Sequence, residues 1–518
     1  MHVSPTISAS SVVDPAEWIE RNAREYPHRS FLKTPSGRQL SYRTLSNGSA
    51  RVACALTRRG VMPGDRIAAR VEKSLEAVLL YIACLRMGAV YVPINVSASP
   101  HELDYLLRDS SPRIAIVPPG EADALEPLAE RAGVQLLETL GADGEGSLLQ
   151  RARVCEPEDP SPGTHQPHSL AALVYTSGTT GRPKGAMLTR ANLASNATVL
   201  AEAWRFSGED VLLHVLPLFH VHGLFTAINT VLASASGILL LPRFDSGEVL
   251  KHLKEITVFM GVPTHYTRLL QEAGLNPEAT AHVRLFVSGS APLPIETHEE
   301  FFRRTGHVIL ERYGMTETLM NTSNPYAGPR MPGSVGLALP GIGIRVTNPE
   351  SGAVERKPEV VGTLEVSGPN VFAGYWRDSA KTTGEFTADG WFKTGDLGRI
   401  DRDGYVHIVG RVKDLVISGG FNVYPKEVEL ELDALPGVLE SAVFGVAHAD
   451  LGEGVTAVVV AQPGAALSEE AILEALGARL AGYKLPKRVL VIAELPRNAM
   501  GKVQKSALRE RYAGLYLS

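Results

Sequence analysis

The stretch that most constrains this chain is Tyr175-Thr176-Ser177-Gly178-Thr179-Thr180-Gly181-Arg182-Pro183-Lys184-Gly185. An apolar run at residues 170–174 precedes it and reads as a short buried strand. Ala186-Met187-Leu188 is apolar again, and Thr189 can N-cap a helix from Arg190 to about Trp204. Between the runs, four hydroxyls and three glycines leave backbone N–H groups free to face an oligoanion, and Lys184 adds a positive charge. The bland alternative is a surface turn. Glycines, hydroxyls and a lysine falling together behind a strand favour a phosphate loop. The order G-x-x-x-x-G-K-[ST] is not met, and no G-x-G-x-x-G opens a helix here, which removes the usual ATPase, kinase and dinucleotide loops.

The chain has 518 residues, enough for two or more domains, and its 44% hydrophobic and 21% charged content is that of a globular protein. A net charge of -5 gives no reason to expect nucleic acid or an anionic membrane as partner. Cys54, Cys84 and Cys155 lack metal-ligand spacing and read as reduced core residues of a cytoplasmic protein. Residues 1–9 lack the pattern of a secretory signal, and the apolar stretch 211–242 is too polar for a membrane span.

Helix and strand patterns alternate from residue 14 onward. Helices are expected from Asp14 and over 41–59 and 74–87, with strands at 65–71, 90–93 and 114–117. This alternation implies parallel sheets with helices on their faces. Residues 140–168, rich in Gly, Asp, Glu, Pro and His, read as an exposed connector. Further strands are expected at 211–217, 238–241, 258–262 and 284–288. A helix started by Pro425, a strand pair at 443–446 and 455–461, a helix capped by Ser468 and a strand at 489–492 make a small α+β unit at the tail.

The loop at 175–185 resembles the phosphate loop of the adenylate-forming superfamily of acyl-CoA synthetases, peptide-synthetase adenylation domains and luciferases. Further motifs follow in the order of that superfamily and extend the likeness over nearly the whole chain. The resemblance implies an α/β fold: a large N-terminal domain of α/β layered sheets plus a β-barrel-like subdomain over 1–410, a hinge at 411–413, and a small mobile α+β C-terminal domain over 414–518. It implies that Thr176, Ser177, Gly178, Thr179, Thr180, Gly181 and Lys184 bind phosphate. Residues 284–293 resemble the adenine-contacting stretch, with Gly289, Ser290 and Ala291 close to the base. Glu311-Arg312-Tyr313-Gly314-Met315-Thr316-Glu317-Thr318 resembles a further nucleotide motif. There an aromatic can stack on adenine, Thr316 can bind phosphate, and Glu317, with Thr176, can hold Mg²⁺. Asp396, within Trp391-Phe392-Lys393-Thr394-Gly395-Asp396, is implied to bind the ribose and Arg411 the nucleotide oxygens. Lys413 is the implied pivot, Ser418, Gly419 and Gly420 the CoA side, and Lys502 the catalytic lysine.

The chemistry implied is an acid–thiol ligation. AMP is transferred to a carboxylate, pyrophosphate leaves, and a thiol then displaces AMP to give a thioester. ATP and CoA are co-substrates, with Mg²⁺ accompanying ATP. Several stretches resemble the malonyl-CoA synthetase branch: residues 261–270, His282-Val283-Arg284, and Met315 through Asn324-Pro325. A small dicarboxylate such as malonate buries one carboxylate, which needs a paired cation. Arg284 and Arg268 are the candidates by two-pronged geometry, with His222 and Ser288 as lesser partners. His222 lies in Leu218-Phe219-His220-Val221-His222-Gly223, which resembles the segment beside the acyl pocket. Methylmalonate, oxalate or a medium-chain acid remain open as substrates, as does a monomer or a dimer. A peptide-synthetase domain would want a carrier segment after residue 510, and a non-catalytic relative would be expected to have lost Lys502 or Glu317.

Overall fold

The structure is a computed structural model in which residues 13–156, 165–176, 183–498 and 501–516 are described. The chain divides into two contact units: Met1–Ile344 with Val366–Phe392, and Arg345–Glu365 with Lys393–Ser518. This is a different division from the 1–410 domain expected above. The strands Gly343–Thr347, Val354–Glu355, Gly362–Ser367, Phe392–Ile400 and Val406–Arg411 form one five-stranded sheet, so residues distant in sequence are held together by its ladder. That sheet stands where the barrel-like subdomain was expected, and its strand order has two ends, Val354–Glu355 and Val406–Arg411.

Among the described residues, two sheets lie wholly within the first unit. In the six-stranded one the order is Leu136–Thr139, Ile114–Val117, Arg66–Ala69, Val90–Pro93, Leu170–Thr176, Lys184–Thr189. Its first five strands are parallel and the last pair is an antiparallel hairpin. In the nine-stranded sheet, Leu310–Met315, Leu285–Ser288, Val258–Gly261, Val211–His214, Gly237–Leu240 and Ser30–Lys33 run parallel. Gly237–Leu240, Val258–Gly261 and Leu285–Ser288 are short and buried at every residue, as central parallel strands must be. Register aligns their C-terminal ends: Ser288 lies opposite Gly261, and Met260 opposite His214. Open parallel sheets place ligands at such ends. The helix Leu75–Met87 is buried along its whole length, which its apolar sequence on all sides requires.

Residues 140–156 are not the exposed connector expected from composition. Ser147–Arg153 is a helix, and Leu140, Leu148, Ala152 and Cys155 lie in the main core. Short apolar residues spaced between Gly and Glu hid that face from a compositional reading. The strand expected at 211–217 ends at His214.

The second unit carries the expected α+β tail. Val438–His448 and Gly452–Ala461 form an antiparallel hairpin, and Arg488–Ile492 adds in parallel. The helices Pro425–Asp433 and Glu469–Gly477 pack on it through Val428, Leu432, Ile472 and Leu476.

One long-range ion pair ties the start of the described chain to the first unit. Asp14 caps the helix Pro15–Glu25 and receives both Nε and Nη2 of the buried Arg190 at 2.5 Å. Removing one partner of a buried pair strands the other charge. Asp14→Asn keeps a capping side chain and removes the charge, so it is expected to lower unfolding stability by about 3 kcal/mol, read from urea melts of the whole chain.

Candidate active site

Thr176 closes the strand Leu170–Thr176 and pairs in register with Lys184, which opens Lys184–Thr189. The stretch expected to bind phosphate therefore links two antiparallel strands. Ser177, Gly178, Thr179, Thr180 and Gly181 lie outside the described residues. Beyond the hairpin, Thr189 caps the helix Arg190–Ala203 as expected, accepting from Asn192 N at 3.1 Å. The ammonium of Lys184 stands 5.7 Å from the ring centre of Tyr375. The Tyr375 hydroxyl in turn donates to Glu317 Oε1 at 2.9 Å. Burial, with the Glu317 carboxylate beside it, pushes that phenol above its ordinary range, so it stays protonated and donates. Tyr375 thus links Lys184 to Glu317, the two predicted charges on the ATP side. Sequence reasoning missed it, because Gly374-Tyr375-Trp376 has no distinguishing spacing. Glu317 itself is buried, and its backbone carbonyl accepts from Phe372 N. A single buried carboxylate with hard oxygens fits Mg²⁺, which takes few protein ligands.

At the C-terminal ends of the nine-stranded sheet the structure gathers basic groups. His222 opens the π-helical stretch His222–Asn229, a rare geometry that concentrates at functional sites. Its Nδ1 lies 3.2 Å from Ser290 Oγ, and its Nε2 has no partner among the described residues. Ser290 holds φ 73°, a left-handed conformation disfavoured for a side-chain-bearing residue. Ser288 is fully buried with its hydroxyl unpartnered among the described residues. His214 donates from Nε2 to Gly223 O at 2.7 Å, and Lys73 donates to His214 O at 2.9 Å. His265 stacks flat on Phe244 at 3.9 Å. Arg268 is exposed on the helix Pro263–Leu269 and makes no ion pair among the described residues. Arg312 is buried, with Nε and Nη2 unpartnered among the described residues, and burial pushes its guanidinium down to about 9.

One expectation is corrected here. Arg284 is not available to a substrate carboxylate. Its Nε and Nη2 bind both oxygens of Asp210, at 2.7 and 2.8 Å, and its remaining donors meet the carbonyls of Trp204 and Arg205. It also sits at the N-terminal side of Leu285–Ser288, the opposite end from Ser288. The Glu311 carboxylate accepts from Leu293 N at 3.1 Å and so holds the turn after Ser288. At Gly289 a Cβ would lie 2.4 Å from Arg312 Cζ, so a larger residue there displaces that side chain. Ala291 lies on the same turn, partly exposed. In the hairpin Leu310–Met315 with Leu319–Ser323, Gly314 faces the carbonyl of Leu319, and Tyr313, Met315 and Thr316 follow the predicted order.

In the second unit, Asp396 and Arg411 are cross-strand neighbours, and Arg411 Nε meets Asp396 Oδ1 at 2.9 Å. The two predicted ribose and nucleotide groups are therefore together. Lys413 is exposed in the turn Val412–Asp414, whose Asp414 is held by Arg509 at 2.8 Å. Gly419 and Gly420, at φ 58° and 81°, form a two-residue hairpin turn between Ser418 and Phe421. Lys502 is exposed, and Asn498 brackets it: Lys502 N donates to Asn498 Oδ1 and Asn498 N to Lys502 O.

Residues 19–376 match the model of the AMP-binding enzymes, and residues 427–502 match that of the AMP-binding enzyme C-terminal domain. The chain belongs to the AMP-binding enzyme family. It is 51% identical to ATP-bound MatB from Rhodopseudomonas palustris, with a TM-score of 0.94 over 97% of this chain and 100% of that one. It is 36% identical to the mitochondrial malonate–CoA ligase of Mus musculus, over 90% of this chain and 86% of the relative. It is 34% identical to the indoleacetate–CoA ligase of Aromatoleum aromaticum, over 96% and 98%.

Burial holds His214 down at about 3 and His265 at about 3, and holds His222 well below 6.5, so all three are neutral in the fold. The unfolded chain binds protons at these imidazoles once pH falls below about 6.5. Stability present above that pH is therefore lost on acidification towards about 3, by up to about 1.4 kcal/mol per pH unit for each histidine. Urea midpoints at pH 7 and pH 5 are expected to differ in that direction, and by less in His214→Asn.

Proposed function

We propose that this protein is an AMP-forming malonate–CoA ligase, a malonyl-CoA synthetase acting in the cytoplasm on malonate, ATP and CoA. A malonate oxygen attacks the α-phosphorus of ATP, the bond to the bridging oxygen breaks, and pyrophosphate leaves. The CoA sulfur then attacks the acyl carbon, its proton passes to solvent, and AMP leaves with the bonding pair. The first step is mostly charge neutralisation and positioning. Lys502 bridges the carboxylate and the α-phosphate. The loop 176–181 with Lys184 takes the pyrophosphate, Asp396 the ribose and Arg411 the nucleotide oxygens. Glu317, with Thr176, would hold Mg²⁺, which supplies charge neutralisation at the leaving phosphates. Lys413 is the pivot between domains 1–410 and 414–518. It removes Lys502 after adenylation and brings Ser418, Gly419 and Gly420 to the CoA arm, while the adenylate is kept from water.

Malonate- and indoleacetate-specific relatives are similarly distant, so identity alone does not choose the acid. The observation that carries the choice is Arg268, a guanidinium without an ion pair among the described residues, one short helix beyond the C-terminal end of Val258–Gly261. Arg268 is exposed and its field reaches the buried His265, so a second carboxylate at these strand ends would meet a free guanidinium that a monocarboxylate would not engage. Ser288 and His222 stand at the same strand ends. Methylmalonate adds one methyl, worth only about 1–3 kcal/mol, and is expected to be used in part.

Pyrophosphate release with malonate, methylmalonate, acetate and octanoate tests the reading. Malonate is expected to lead, and a preference for octanoate overturns the dicarboxylate assignment. Arg268→Ala is expected to raise the malonate KM about tenfold or more with the ATP KM nearly unchanged. Lys502→Ala is expected to abolish pyrophosphate release, while thioester formation from supplied malonyl-adenylate largely survives. Tyr375→Phe is expected to raise the Mg²⁺ concentration for half-maximal rate about tenfold, read in a metal titration at saturating ATP.

A further inference from the structure

We propose that Lys73 is a specificity-determining residue whose ammonium receives the carboxylate of the acid substrate that is not adenylated. The inference rests on the malonate reading above and adds a second cation to the one carried by Arg268.

Lys73 comes from the other sheet. It lies past the C-terminal end of Arg66–Ala69, and the next residue, Ser74, caps the buried helix Leu75–Met87 by accepting from Ala77 N. That cap fixes the backbone from which the side chain departs. The chain then reaches across to the C-terminal end of Val211–His214, where Nζ donates to His214 O at 2.9 Å. The ammonium therefore stands where the ends of two parallel sheets meet, the place where such sheets bind ligands.

A neutral carbonyl satisfies one of three ammonium donors and none of the charge. No carboxylate pairs with Lys73 among the described residues. Glu76, one turn into the following helix, is taken by Arg38, and Glu72 is exposed. The titratable groups whose fields reach it are basic: His214 on its strand and His265, which itself feels Arg268. Burial without an acidic neighbour pushes the lysine well below its ordinary range. Lys73 is half-buried, and a cation partly withdrawn from water without a counter-charge marks a place where a ligand can bring one. A lysine serving only to cap a strand carbonyl would not need its charge, and an uncharged donor would suffice.

That contrast sets the experiment. Lys73→Gln keeps an N–H donor for the His214 carbonyl and removes the charge, and Lys73→Arg keeps the charge. Steady-state rates are measured with malonate and with propionate, which lacks the second carboxylate, together with the KM for ATP. In Lys73→Gln, kcat/KM for malonate is expected to fall about tenfold or more, with propionate and the ATP KM within about threefold of wild type. Lys73→Arg is expected to retain malonate preference. A malonate-to-propionate ratio unchanged in Lys73→Gln overturns the proposal, as does an equal loss on both acids. Should Lys73→Gln fail to fold, loss of malonate preference in a folded Lys73→Arg also overturns it. A wild-type enzyme that prefers propionate sinks the malonate reading itself, whereas wild-type malonate preference retained in Lys73→Gln removes only Lys73.

Discussion

Positive charge without an internal counter-charge is the constraint around which the first unit is arranged. Arg312 is buried with two nitrogens unpartnered among the described residues, Lys73 meets only a carbonyl, and Arg268 makes no ion pair there. Elsewhere in the same unit buried cations are paired: Arg190 with Asp14, Arg284 with Asp210, Arg86 with Glu20. Paired cations brace helices and the N-terminal side of the sheet, and Arg70 beyond Arg66–Ala69 pairs with Glu121, whereas Arg312, Lys73 and Arg268 lie near the C-terminal ends of parallel strands without an acidic partner among the described residues. Leaving Arg312 unpaired and withdrawn from water costs folding stability, whereas the exposed Arg268 is solvated. An anionic substrate that completes the pairs returns that free energy on binding, which is how a small acid can be selected by charge.

The histidines between these cations add to the same bias. His214, His222 and His265 are neutral because burial, reinforced by the cations around them, opposes a further proton. A neutral imidazole can donate or accept without raising the local charge. The π-helical start at His222 and the left-handed Ser290 place the two side chains within 3.2 Å, an arrangement that a regular helix and an ordinary turn would not produce.

On the nucleotide side the organising contact is Tyr375. Its ring faces Lys184 and its hydroxyl binds Glu317, so two motifs far apart in sequence are joined by a residue belonging to neither. The second unit repeats the logic across one ladder, where Asp396 and Arg411 hold each other in register. In both cases a predicted functional group is held by a partner before any ligand arrives, which limits the reorganisation that binding demands.

The chain's α/β class, its α+β tail, the Thr189 cap and the order of the nucleotide motifs were all legible in the sequence. They depend on local propensity, on hydrophobic period and on glycine or hydroxyl content, which act over a few residues. The buried helix Ser147–Arg153, the engagement of Arg284 by Asp210, the demand of Arg312 for a glycine at 289, and the bridge through Tyr375 were not. Each depends on which residue lies opposite in space, 58 and 74 positions away in the cases of Glu317–Tyr375 and Asp210–Arg284. A sequence states that an arginine is present. Only the packed sheets decide whether an aspartate has already neutralised it, because a charge interaction follows distance through space and not along the chain.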